Sequence, residues 1–193
     1  MKKKKAKKKK LSAVVVLLSF LFVSIAAALF IHSSHSSFMK TLYPLKYEKY
    51  VENECENNNL EKSFIYAVIK CESNFQSDAV SSAGAVGLMQ ILPETFDWLQ
   101  TKTGESLSED MLKDPKTSIK YGCLLYGMFV EQFGSEAVAV AAYHAGPNNV
   151  KKWLKDERYS SDGKTLFDIP FSSTKAYVEN VMKTKNIYEK LYF

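Results

Sequence analysis

The sequence predicts an all-α protein: a helical domain over residues 44–193, preceded by one membrane-spanning helix. Three observations carry this. From Pro44 onward, apolar residues recur at helical spacing in successive segments punctuated by Gly, Pro and Asn. No run alternates with the two-residue period of a strand. The run 11–31, LSAVVVLLSFLFVSIAAALFI, holds 21 residues without a charge, and a helix of that length rises about 30 Å, the depth of a bilayer core.

The N-terminal elements follow in order. Residues 1–10 form a basic tail with eight Lys. By the positive-inside rule this tail stays in the cytoplasm, so everything from His32 onward is expected outside. A cleavable signal has a shorter apolar region. The Ala run at 26–28 is followed by Leu29, Phe30 and Ile31. A retained single-pass anchor at 11–31 in the cell membrane is therefore expected, with a Ser-rich linker at 32–43 that carries His32 and His35. Setting the tail aside, 18 basic residues face 21 acidic ones. The exported part is mildly acidic, so no nucleic-acid partner is expected.

Within the domain, helices are expected at 45–57, 60–73, 93–102, 115–133, 136–145, 147–154 and 173–192. In the second of these, Leu60, Phe64, Ile65, Val68 and Ile69 form one apolar stripe. Ser106 and Glu109 suggest a capping box. Asp114-Pro115 marks a helix start and Gly134 its end, after which Ser135 is positioned to cap the next helix. That helix, EAVAVAAYHA, is small and apolar nearly all round and belongs at the centre. Three Cys (Cys55, Cys71, Cys123) allow at most one bridge, and free buried thiols are the default. With no CxxC and only scattered His, neither metal nor cofactor is expected.

Glu72 is the residue that points to chemistry. It lies four after Val68 and three after Ile69, so it continues the apolar stripe. It also sits at a helix C-terminus, where the dipole disfavours negative charge. Both effects raise a carboxyl pKa and suit a general acid. A Glu that bends out to solvent, or pairs with Lys70, is the plain alternative.

The surrounding residues resemble the soluble lytic transglycosylase family, relatives of goose-type lysozyme that cut peptidoglycan. In ESNFQSDAVSSAGAVGLMQILPETF, the positions Glu72, Ser73, Phe75, Ala79, Ser81, Gly84, Ala85, Gly87, Leu88, Met89, Gln90 and Pro93 fit the family pattern. AYHAGPNNVKKWL from Ala142 and IPFSSTKAYVENV from Ile169 resemble two further motifs.

The resemblance implies a lysozyme-like helical fold with a sugar groove, peptidoglycan glycan strands as the partner, and Glu72 as sole catalytic acid and base. Cleavage between N-acetylmuramic acid and N-acetylglucosamine would leave a 1,6-anhydromuramyl end. Ser81, Gln90, Tyr143, His144 and Tyr177 then fall at substrate-binding positions or beside the acid. Gly84 and Gly87 would let backbone approach the sugar, and Met89 and Trp153 read as core. His144 stands where the family usually has Asn, Ser173 where it often has Glu, and Cys71 where a polar residue is commoner. A hydrolytic muramidase using Asp78 to hold a water is the nearest alternative. A non-catalytic glycan-binding or scaffold module is another. Cell-wall or secretion machinery stays open as a partner, as do the biological process and oligomeric state.

Overall fold

A computed structural model of the protein describes residues 21–25, 29–31 and 35–193. The chain divides into two units, Met1–Pro44 and Leu45–Phe193. In the first, helix α1 (Leu21–Leu42) is long and apolar enough to cross a membrane by length and composition. Its Leu21, Phe22, Val23, Ile25, Leu29, Phe30 and Ile31 side chains are all exposed. The span expected at 11–31 overlaps α1 from 21. The basic tail, residues 11–20 and His32 lie outside the described residues. The segment expected as a linker is helical over 35–42.

The second unit carries helices α2 (Glu48–Asn58), α3 (Lys62–Ser73), α4 (Pro93–Thr103), α5 (Pro115–Phe133), α6 (Glu136–Ala145), α7 (Pro147–Trp153) and α8 (Ser172–Tyr192). One 3₁₀ turn spans Glu109–Lys113. The only β pairing among the described residues is two isolated bridges, Val80 with Val86 and Val86 with Ile91. They fold the 79–91 loop back on itself.

Helices α3 and α6 form the core. Ser63 to Ile69 of α3 are consecutively buried, so this helix is enclosed on every side rather than along the single stripe the sequence suggests. Past Ser63 no charged or amide side chain interrupts that stretch: Tyr66 and Ala67 fill the remaining faces, Tyr66 stacking on Tyr188 of α8 at 5.5 Å. Val138 to Ala142 of α6 are buried as expected. Helix α8 packs against both α3 and α6. Lys185, 9% exposed, anchors it by pairing with Glu61 at 3.0 Å, Glu189 at 3.5 Å and Glu136. Burial opposes its charge, but Glu136 and Glu61 outweigh that and raise its pKa.

Asp114 caps α5 as expected, accepting from the Thr117 N–H at 2.9 Å. Two other capping expectations differ. Ser135 holds the N-cap position of α6 with extended backbone but makes no side-chain cap bond. Ser106 is not a cap either: the 3₁₀ turn starts after Ser108. The stretch before it is shaped by long-range bonds instead, with Glu105 accepting from Lys120 at 2.7 Å and from Tyr121. All three Cys carry free thiols, Cys55 and Cys123 buried and Cys71 half-buried. The Cys123 thiol, raised well above its ordinary range first by burial, neighbours that of Cys55. Trp153 is buried, edge-on to Phe171 at 5.0 Å.

Candidate active site

Glu72 occupies the last turn of α3, next to Ser73, whose hydroxyl donates to the carbonyls of Ile69 at 3.2 Å and Leu88 at 2.9 Å. The helix then stops at Asn74, with φ +50°, and Phe75 follows with φ +65°. Two consecutive left-handed non-glycine residues turn the chain sharply into the 79–91 loop, at a conformational cost that the fold must override. The loop is tied down at Ser73, Gln90 and Met89. Gln90, itself at φ +49°, donates its side-chain amide to the carbonyls of Ala79 at 3.1 Å and Gly87 at 2.9 Å. Ser81 Oγ accepts from the Ala85 N–H at 3.0 Å. The Met89 N–H donates to Ser118 Oγ of α5 at 3.2 Å.

Around Glu72 the structure gathers aromatic hydroxyls. Tyr177 of α8 donates a short hydrogen bond to Glu72 Oε1. Tyr126 of α5, fully buried, lies with its hydroxyl 3.3 Å from that of Tyr177. Tyr143 of α6 stacks flat on Tyr126, centroids 4.3 Å apart and planes within 6°, and donates its hydroxyl to the Met89 carbonyl. His144 is exposed, with its ring 4.8 Å from that of Tyr177 and Nδ1 3.0 Å from Thr174 Oγ1.

Burial pushes the Glu72 carboxyl up to about 7, and the Tyr177 hydrogen bond pulls it partly back. At neutrality the protonated and ionised forms of the acid are therefore both populated. His144 is drawn below its ordinary value by partial burial, so it is neutral above neutrality. Tyr126, Tyr143 and Tyr177 are all held well above the usual phenol range, chiefly by burial, and act only as hydrogen-bond donors and acceptors. A neutral, desolvated carboxyl held by hydroxyls can donate a proton to an ether oxygen and take one back.

Of the residues expected at the site, Tyr177 bonds Glu72 directly, His144 reaches the cluster through the Tyr177 ring, and Tyr143 joins it through Tyr126. Ser81 and Gln90 fix the loop through its own backbone. Met89 is fully buried against Gly122, where a Cβ would lie 2.2 Å from its sulfur. Packing alone requires glycine at 87. Its φ is +83°, and a Cβ there would stand 1.9 Å from the Leu112 carbonyl oxygen. A Cβ at Gly84, also at φ +83°, would meet nothing within 4 Å. Asp78 is exposed in the loop. Tyr126 escapes the sequence because a Tyr inside a long apolar helix reads as core. The available signal was its hydroxyl, which must find a partner when buried.

A half-buried carboxylic acid at a helix end, in an all-α domain with aromatic hydroxyls around it, is an arrangement suited to a single general acid. Residues 49–166 match the Transglycosylase SLT domain family, and the chain belongs to it. The Escherichia coli (strain K12) soluble lytic murein transglycosylase is 33% identical over 145 residues, covering 72% of this chain and 22% of that protein. Membrane-bound lytic murein transglycosylase C of Haemophilus ducreyi is 28% identical over 127 residues, covering 60% and 35%. Among solved structures, an inactive Glu-to-Gln mutant of the lytic transglycosylase Slt of Pseudomonas aeruginosa superposes with a TM-score of 0.70. It is 34% identical and covers 79% of this chain and 25% of that one. The chain thus spans about a fifth of the length of the first curated relatives it matches.

Proposed function

We propose that the protein is a membrane-anchored peptidoglycan lytic transglycosylase, with its domain outside the cell and Glu72 as the sole acid and base. The observation that carries this reading is the single half-buried carboxyl of Glu72, still able to hold a proton near pH 7 and bonded by a phenol rather than by a second carboxylate.

The chemistry follows from that environment. Protonated Glu72 gives its proton to the glycosidic oxygen between N-acetylmuramic acid and N-acetylglucosamine, and the bond from that oxygen to the muramyl anomeric carbon breaks. The 6-hydroxyl of the same sugar attacks the cationic carbon, and the Glu72 carboxylate takes that hydroxyl's proton. A 1,6-anhydro end forms, no water is consumed, and Glu72 returns protonated. A two-carboxylate glycosidase differs in needing a second group to act as nucleophile or to hold a water. Tyr177 stabilises the carboxylate between the two proton transfers by donating to it. Ser81, Gln90, Tyr143 and His144 are proposed to shape the groove around the sugars, the first two through the loop. The anchor reading is supported by α1 and by the Lys-rich tail.

Product analysis tests this. Digestion of purified peptidoglycan should release muropeptides with anhydro ends. Reducing ends would assign the protein to hydrolytic muramidases. No release by folded protein would leave a glycan-binding module.

A further inference from the structure

We propose that Tyr126 is a positioning residue for the catalytic acid and acts on it through Tyr177. This rests on the reading of Glu72 as that acid. A buried phenol hydroxyl needs a partner, and that of Tyr126 has Tyr177 at 3.3 Å. A phenol carries one proton to donate. Tyr177 spends its proton on Glu72 Oε1. Between the two phenols Tyr126 is therefore the donor and Tyr177 the acceptor. The chain of donation runs one way, from Tyr126 to Tyr177 to the carboxyl. Each donor polarises the next, which strengthens the bond onto the ionised carboxylate.

The packing holds Tyr126 still. Its ring lies flat on Tyr143 at 4.3 Å and edge-on to Phe64 of α3 at 5.1 Å. Phe64 sits two turns before Glu72 on the same helix. Tyr126 thus fixes the Tyr177 oxygen relative to the helix that carries the acid. The other titratable groups around this cluster are Cys71 of α3, Tyr143 and His144 of α6, and Cys123 of α5. Lys70 stands one residue from Cys71 and donates to Asn74 Oδ1.

Removing the Tyr126 hydroxyl leaves the packing in place and takes the donor from Tyr177. Ionised Glu72 then loses support and holds its proton to higher pH. Activity falls as Glu72 ionises, so this appears as movement of the alkaline limb of the pH–rate profile.

The test uses the full chain in detergent, with muropeptide release measured against pH. In Tyr126→Phe the alkaline limb should move up by a few tenths of a pH unit, roughly a doubling or tripling of proton affinity. Tyr177→Phe should move it further. The double variant should show no shift beyond Tyr177→Phe alone, because the effect passes through Tyr177. A packing role would lower the rate without moving the limb. An unmoved limb in Tyr126→Phe, or an equal further shift in the Tyr177→Phe background, overturns the proposal. Tyr126→3-fluorotyrosine gives a second arm if Tyr126→Phe folds poorly. It is a stronger donor, so the limb should move down, and movement upward or none would count against the proposal. A fully active Glu72→Gln removes the underlying reading as well, whereas an inactive Glu72→Gln with an unmoved limb in Tyr126→Phe overturns only this inference.

Discussion

Glu72 holds its proton to about pH 7 because burial penalises the carboxylate more than Tyr177 supports it. This has a stability consequence of definite sign. The unfolded value is near 4.5 and the folded value is higher. Below the lower value both states are protonated and Glu72 is neutral to stability. As pH rises between the two, the unfolded chain ionises first and the folded state is increasingly disfavoured; above the upper value the cost stays constant. The cost above neutrality is about 3 kcal/mol, at about 1.4 kcal/mol per pKa unit. Glu72→Gln removes it and leaves an amide oxygen for Tyr177. Chemical denaturation should therefore show Glu72→Gln more stable than wild type at pH 8 by up to about that amount, with the gain vanishing near pH 4. Equal stabilities at both values would mean the carboxyl is not desolvated. Its place on the stripe of α3 was legible in the sequence because helical spacing alone puts it there. Its partners were only partly legible. Tyr177 and His144 stand out by family resemblance, but Tyr126 reaches the site through a contact 51 residues away in sequence, which no local pattern encodes.

Helix starts and stops come through from sequence where the signal is backbone chemistry. Pro93, Pro115 and Pro147 each open a helix, and Gly104 and Gly134 close α4 and α5 in left-handed conformations. The expected caps at Ser106 and Ser135 failed because side-chain capping competes with other bonds, and position alone does not decide the outcome. The 79–91 loop is the element least legible. Its shape comes from isolated bridges and from Gln90 bonding back to the backbone, both set by tertiary context. Gly87→Ala tests how far packing against Leu112 fixes that loop. The positive φ alone costs roughly 1–2 kcal/mol, and the contact with the Leu112 carbonyl adds to it. Thermal melts should show that loss, and an unchanged Tm would mean the loop can move away at little cost. Asp114→Ala should cost about 1 kcal/mol through the lost cap of α5.

The molecule joins an apolar N-terminal helix to a mildly acidic helical domain that spans about a fifth of the first curated relatives' length. The apolar run and Lys tail were readable because length and charge carry the signal directly. Its helical continuation over 35–42 was not, since HSSHSS has the composition of a linker. If α1 anchors the protein, full-length chain should stay with membranes through high-salt and carbonate washes, while its C-terminus is cut by protease added outside. Recovery of a soluble form beginning near Leu29 would show a cleaved signal instead. The proposed function rests on one carboxyl, so one substitution tests the account most directly. Muropeptide release should be measured for wild type and Glu72→Gln, with melting curves alongside. A positioned acid and base contributes on the order of 100- to 10,000-fold. Glu72→Gln should stay folded and lose at least that much activity, while wild type yields anhydro ends. A folded Glu72→Gln protein that still releases muropeptides near the wild-type rate would contradict the account.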